Sequence, residues 1–575
     1  MSEIHSAAGE LPHIPDDLTI PQFFLDHRHI TRPLNTASNP WLVEESTGRQ
    51  VGFEEVRARS SGLANALSSK WGIRENDVVC IFSPNHIYYP ICVWAIHRLG
   101  AIVTGANPAY TTEELKHQLK ATKAKLLITH SSTLSSSVEA AHAASIPGSR
   151  IVLIDTPAAT NKYYPTIDEL TNEGLSQFPT FVERKLAPGE AKKKVAFLSF
   201  SSGTTGKPKA VIIPHYSLIA NAIQMAFHAD VTEKGRSLKD RIYRPGDSAY
   251  GVVPFFHIYG LVVGLHFYIY MGLTLVVSSR FNFVEMLKST ERYRISHLLV
   301  VPPMVVLLCK NPAVKQHDMS SVRYLLCGAA PLSWELVNEA MKVFPQAFIH
   351  QGYGMTETAA TITWPRISQK IGTAGSSGVI TAGITVKVVK EDGSLAKFNE
   401  PGELYVKSPA NALGYLDNEE ATKETFIDGW VRTGDEVIIN EDTEVFIIDR
   451  MKEIMKVRGF QVAPAELEGH LLTHPDVLDV CVVGIPDEYS GEVPLAFIVP
   501  SAAAAERIKN NPKAAQALEE DIMKYVADNK VYYKKLAGGV EFTNAIPKNP
   551  SGKLLRRLLR DKARELRQAQ TKAKL

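Results

Sequence analysis

The residues S-S-G-T-T-G-K-P-K at 201–209 follow directly on an apolar run, V-A-F-L-S-F at 195–200, and their types suit phosphate. Glycine lets backbone N–H groups approach oxygens closely, Ser201, Ser202, Thr204 and Thr205 add hydroxyl donors, and Lys209 adds charge. The spacing excludes a Walker P-loop: Gly203 and Gly206 are separated by two residues rather than four, and Pro208 stands where a magnesium-holding Ser or Thr would be. Phosphate chemistry other than ordinary NTPase action is therefore expected. Taken alone, the same residues would also suit a flexible surface loop.

Elements able to position such a loop surround it. Apolar β-type runs alternate with helical patterns at 78–82, 88–99, 115–124 (opened by Thr111-Thr112-Glu113-Glu114), 126–129 and 151–154. That alternation predicts an α/β domain with largely parallel sheet. A different texture begins near residue 450, with R-M-K-E at 450–453, an apolar run at 480–483 and a charged helix near 517–529. It predicts a small α+β domain of about 120 residues. The stretch 501–513, with its alanines and Pro512, reads as a local insertion or loop. The longest apolar stretch, 260–277, approaches membrane-span length but is interrupted by His266 and by Met271-Gly272. It reads as a buried helix followed by a buried strand rather than a transmembrane segment.

With 575 residues, 45% of them hydrophobic and 22% charged, the chain has the composition of a soluble globular protein of two or more domains. A net charge of +2, with dispersed basic residues, gives no reason to expect nucleic acid and favours a small-molecule partner. Cys80, Cys92, Cys309, Cys327 and Cys481 are odd in number and lack C-x-x-C spacing, which argues against a disulfide framework or zinc site. The first 17 residues carry no apolar core of a secretory signal. The chain finishes Ala573-Lys574-Leu575, a close variant of the S-K-L address, so peroxisomal localisation through the peroxisomal import receptor is expected.

Further clusters share the chain with the phosphate loop: P-F-F-H-I-Y-G at 254–260, G-A-A-P at 328–331, Q-G-Y-G-M-T-E-T at 351–358, W-V-R-T-G-D at 430–435, D-R-M-K-E at 449–453, G-F-Q at 459–461 and P-K-N-P-S-G-K at 547–553. In this order they resemble the adenylate-forming superfamily of acyl-CoA synthetases, firefly luciferase and peptide-synthetase adenylation domains. Within it the chain is most similar to 4-coumarate:CoA ligases and fungal acyl- and aryl-CoA ligases, notably in G-F-Q-V-A-P-A-E-L-E at 459–468. The resemblance runs from about Asn39 to Arg557. It implies a large N-terminal adenylating domain at 1–451 with mainly parallel sheets and a small mobile α+β domain at 452–575.

The chemistry gives such residues a reason to be assembled. A carboxylate is a poor acyl electrophile, so its oxygen attacks the α-phosphorus of ATP, expels pyrophosphate and leaves an acyl-AMP anhydride. Charge crowds onto one phosphate, and positioned cations are the main remedy. The resemblance implies pyrophosphate in the 201–209 loop, Glu357 as a ligand of Mg2+, and Lys553 reaching the carboxylate and α-phosphate. It further implies adenine against Tyr353 and the Gly328-Ala329-Ala330 turn, with Gln351, Gly352 and Thr356 nearby and the ribose diol on Asp435 beside Arg450. After rotation about a hinge at Lys452, Lys456, Gly459 and Gln461 would face the site for transfer to coenzyme A, with Arg280 at the CoA phosphates. Arg556, Arg557 and Arg560 instead read as a solvated helix face.

The acyl pocket implied by the resemblance contains His257, Tyr259, Val263 and Ala360, with His257 beside the reacting carboxylate. Val263 stands where plant coumarate ligases carry serine, and Thr358-Ala359-Ala360-Thr361 replaces their Ala-Gly-Pro-Val. Both departures suggest a more apolar pocket, for an aryl or medium-chain carboxylic acid. The expected function is an ATP-dependent acid:CoA ligase. An adenylating enzyme serving a separate carrier protein, a luciferase-like oxygenase and a non-catalytic adenylate-binding scaffold are the alternatives.

Overall fold

The computed structural model describes residues 3–33, 39–156, 163–201, 208–451, 453–458, 460–487, 489–548 and 552–574. Two sheets with mostly parallel strands organise the larger body. One runs Ile151–Leu153, Leu126–Thr129, Val78–Phe82, Ile102–Ala106, Val195–Ser201 and Lys209–Pro214, the last pair antiparallel. The other runs Phe348–Gln351, Tyr324–Cys327, Ile295–Val300, Ser248–Gly251, Thr274–Val277, Leu42–Glu44 and Gln50–Val51. Val78–Phe82 and Ile295–Val300 are buried along their whole lengths, as strands covered by helices on both faces must be. The expected alternation is present: helix Tyr89–Arg98 follows the first of these strands, and helix Thr112–Ala121 starts on a capping box between Thr111 and Glu114.

The apolar stretch at 260–277 forms a buried π-helix, Tyr259–Phe267, a short turn and the buried strand Thr274–Val277. No described helix is long and apolar enough to cross a membrane. The five cysteines are unpaired thiols, all but Cys309 buried. An antiparallel sheet containing Thr385–Val389, Gly402–Lys407, Trp430–Ile439 and Val445–Arg450 leads toward the second body.

Past Arg450 the chain builds a separate sheet from Met455–Val457, Phe460–Val462, Val477–Asp487, Gly491–Pro500 and Gly539–Phe542. Its core draws on residues from Met455 onward, including Val482, Ile498 and Ile522. The segment 501–513 is not a loop: Ala502–Ile508 is helical, the Ser501 side chain accepting the Ala504 N–H, and Pro512 opens the next helix, Pro512–Asn529. A capping serine and four alanines of high helix propensity outweigh the low-complexity appearance.

Arg556 also departs from expectation. It is not on a solvated face but bonds Glu468 through two nitrogens and Glu453 through a third, all three side chains nearly buried. Glu468 also accepts the Val482 N–H at 2.8 Å, and burial raises its carboxyl above the usual range. This cluster joins the final helix to the chain just past residue 452. Arg556→Ala leaves two buried carboxylates without their cation and is expected to destabilise the small body by about 3 kcal/mol, read as a lower urea midpoint by circular dichroism.

Candidate active site

A cavity of about 1370 Å³ lies between the two bodies, lined by Ser201 and Lys209 of the hairpin, by the 328–333 turn, by 351–357 and by Lys553. Strand pairing sets the polar groups at its floor. Asp435 and Arg450 face each other across the antiparallel pair Trp430–Ile439 and Val445–Arg450, with Arg450 Nε 3.3 Å from the Asp435 carboxylate. A bulge against Gly402–Lys407, with Gly434 at φ +74°, interrupts the ladder where Asp435 turns toward the cavity. Tyr353 O–H donates to the same carboxylate. Burial and then Asp435 hold the Tyr353 phenol far above its usual range, so it remains a donor.

Glu357 is buried in the turn after Tyr353–Met355, and Tyr415 O–H donates to it at 2.8 Å. The backbone around this carboxylate is held in unusual conformations, with Ala359 at φ +49° and Ala360 at φ +108°. Such strain persists only where packing over-determines it, and it clusters at functional sites. Gly354 is obligatory here, because a Cβ would stand 1.5 Å from the Ala360 carbonyl oxygen. Tyr415 also lies under Lys209, whose Nζ is 5.0 Å from the ring centroid. The segment holding Tyr415 runs beside the hairpin: Leu416 N–H donates to Ala210 C=O and Ile212 N–H to Gly414 C=O. Ala210 takes part in ordinary strand pairing, opposite Phe200.

His257 and Tyr259 line another wall with Ala360, Leu326 and Val306. Burial, then the Lys553 charge, lowers His257 to about 4, so the ring is neutral at pH 7. Its Nδ1 accepts the Tyr259 N–H at 3.3 Å, which leaves the ring proton on Nε2. Tyr259 O–H donates to Leu326 C=O at 3.2 Å, and a Cβ on Gly328 would come within 2.8 Å of its ring. Val263 does not line the cavity. Its apolar side chain on Tyr259–Phe267 is instead fully buried in the main core, withdrawn from water.

Lys553 enters the cavity from the small body. The preceding Gly552, at φ +81°, packs so closely on Val301 of the large body that a Cβ would be 2.9 Å from its side chain. Cross-body bonds steady this arrangement: Lys310 Nζ donates to Leu472 C=O at 2.8 Å, and Ala465 N–H to the Asp449 carboxylate at 3.1 Å. Burial, then Arg450, lowers the Lys553 ammonium to about 8, against the pull of Asp435, Glu453 and Glu357.

The structure thus brings together Ser201, Lys209, His257, Tyr259, Gly328, Ala329, Ala330, Gln351, Gly352, Tyr353, Thr356, Glu357, Ala360, Asp435, Arg450 and Lys553. Lys456 and Gln461 lie apart from them, paired and exposed on the hairpin strands Met455–Val457 and Phe460–Val462. Arg280 is exposed on a bend and is likewise absent from the cavity. Ser202, Gly203, Thr204, Thr205, Gly206, Lys452 and Gly459 lie outside the described residues. Sequence reasoning missed Tyr415, whose Gly-Tyr-Leu setting carries no chemical signature, and it misjudged Arg556.

Two bodies closing a carboxylate, a buried ammonium and a hairpin lysine over one cavity define a nucleotide-activating fold. A family model described as AMP-binding enzyme matches residues 32–416, and one described as AMP-binding enzyme C-terminal domain matches 466–553. The chain belongs to the AMP-binding enzyme family. It is 36% identical to 4-coumarate--CoA ligase 3 of Arabidopsis thaliana, over 96% of this chain and 95% of that protein. It is 33% identical to acyl-CoA ligase easD of Emericella nidulans, over 95% and 97%. The fold matches that of the anthranilate CoA ligase AuaEII in complex with anthranoyl-AMP, with a TM-score of 0.81, 24% identity and coverage of 96% and 98%.

Proposed function

We propose that the cavity activates an aryl or medium-chain carboxylic acid as acyl-AMP and that the chain then transfers the acyl group to coenzyme A. The chain is an AMP-forming acid:CoA ligase: its family is that of AMP-binding enzymes, and curated relatives spanning nearly its whole length are CoA ligases. The observation that carries the residue-level reading is the ammonium of Lys553, delivered by the small body into a cavity that also holds Lys209, Glu357 and Asp435.

Asp435 accepts the ribose hydroxyls, with Arg450 and Tyr353 fixing its orientation, and the Tyr353 ring and the 328–330 turn flank the adenine. The carboxylate oxygen of the acid attacks the α-phosphorus, and pyrophosphate leaves toward Lys209 and the other residues of 201–209. Lys553 stabilises the charge gathered between the two reactants. Neutral His257, with its proton on Nε2, is a hydrogen-bond donor toward the carboxylate rather than a base. Pocket walls of Ala360, Val306 and Leu326 favour an apolar acid.

Magnesium is compatible with this donor set. Among the described residues no cluster of three or more ligating side chains is present, and Glu357 supplies one hard, buried oxygen donor. Magnesium is commonly held by one or two carboxylates plus phosphate and water, and it would neutralise phosphate charge there. Tyr415 orients Glu357, so Tyr415→Phe is expected to raise the KM for ATP–magnesium about tenfold, the value of one hydrogen bond to a charged group, with the fold intact by circular dichroism.

The second step uses a different arrangement of the bodies, taken as 1–451 and 452–575 and hinged at Lys452, which brings Lys456, Gly459 and Gln461 to the acyl-adenylate, with Arg280 toward the CoA phosphates. The exposure of Lys456 and Gln461 supports this. The test is thioester formation with CoA across aryl and short- to long-chain aliphatic acids. Turnover of apolar aryl or medium-chain acids is expected; a requirement for a charged distal group would refute the pocket reading. The terminal Ala573-Lys574-Leu575 supports peroxisomal import. A tagged chain lacking 573–575 should stay outside peroxisomes, and undiminished import would refute that localisation.

A further inference from the structure

Helix Pro464–Leu471 of the small body is gripped by the large body at both ends, and by opposite charges. At its start the Ala465 N–H donates to the Asp449 carboxylate, on strand Val445–Arg450, at 3.1 Å. Just past its end Lys310, the last residue of helix Pro302–Lys310, donates from Nζ to Leu472 C=O at 2.8 Å and to Val477 C=O at 3.2 Å. A helix leaves its first N–H and last C=O groups unpaired and carries a dipole, so a carboxylate at the start and an ammonium at the end each stabilise it. Here both charges come from the other body.

Apolar contact fixes the same seam. Leu472 packs against the core of the large body as well as that of the small body. Gly469 lies so close to the large body that a Cβ there would be 3.1 Å from that of Ser333. Within the helix, Glu468 holds Arg556, three residues past Lys553. The grip on this helix is thereby carried to the segment that delivers Lys553. Lys310 is exposed and does not line the cavity, so it can act on the reaction only through the small body.

We propose that Lys310 is a positioning residue that sets the balance between the two arrangements of the bodies. Its ammonium, bonded across the seam, holds the small body where Lys553 lines the cavity and so favours adenylation. Its release lets the small body turn for transfer to coenzyme A. Two hydrogen bonds from one exposed side chain suit that task, since they bias an equilibrium yet can break in every turnover. The proposal rests on the acid:CoA ligase reading and the hinge proposed above, and it adds a residue outside the cavity that governs the partition between the two steps.

The test measures both half-reactions in full-length wild type, Lys310→Met, which keeps the stem and loses the charge, and Lys310→Arg, which keeps the charge. In Lys310→Met the KM for ATP in acid-dependent pyrophosphate exchange should rise about tenfold, the value of one hydrogen bond to a charged group, because apparent affinity falls with the fraction of chains in the competent arrangement. The exchange rate at saturating ATP should change little. Thioester formation from supplied acyl-AMP and CoA should equal or exceed that of wild type, which a merely structural lesion would not produce, and Lys310→Arg should stay near wild type in both assays. An unchanged KM for ATP in Lys310→Met, or an equal loss in the two half-reactions, would overturn the proposal; the latter would give Lys310 a role in folding alone. Absence of exchange in wild type with any acid would refute the ligase reading itself, a result distinct from either.

Discussion

Replacing Lys553 by alanine is expected to lower acid-dependent pyrophosphate exchange by about 10²- to 10³-fold, the usual cost of removing a donor aimed at developing charge in a water-poor site. The side chain lines the cavity with Asp435 and Glu357. Thioester formation from supplied acyl-AMP and CoA should be far less affected, because the proposed rotation of the small body withdraws Lys553 from the cavity before the thiol displaces AMP. A pH signature accompanies it. Burial lowers the ammonium to about 8, so in the free enzyme the charge is present below that pH and lost above it. The kcat/KM of the half-reaction for ATP should therefore fall as pH rises through about 8. Lys553→Arg keeps its charge at all these pH values and should move the falling limb upward.

Glu357→Gln is expected to cost on the order of 10²-fold in exchange and to raise the magnesium concentration needed for half-maximal rate. The amide has nearly the shape of the carboxylate and can still accept from Tyr415 O–H, so folding should be unaffected while the charge is lost. Calorimetric ATP binding in the presence of magnesium should weaken as well, which separates loss of a metal ligand from loss of a chemical step. Wild-type exchange with unchanged magnesium dependence would remove Glu357 from the site's machinery.

Much of this site was legible in the sequence because its polar groups fall in short clusters whose spacing is local. T-G-D at 433–435 falls within one strand at its bulge, and G-Y-G-M-T-E at 352–357 falls within one short strand and the turn that follows it. Tyr415 was not legible, since its meaning comes from Glu357, 58 positions away, and from a hairpin paired with it only in the fold. Arg556 failed for the same reason: R-R-L-L-R has the pattern of a solvated helix, and only the fold supplies carboxylates 103 and 88 positions away. Val263 failed because it was carried over from the resemblance, and here its side chain is packed in the main core rather than on the cavity wall. The alternating strands and helices around 78–154 were recovered because capping, burial and period agree there.

The most direct test of the account is exchange of labelled pyrophosphate into ATP by the full-length wild-type chain, without CoA, across a broad panel of carboxylic acids. The account predicts exchange that depends on the acid, followed on addition of CoA by release of AMP and formation of the thioester. No exchange with any acid, or release of ADP and phosphate in its place, would contradict it.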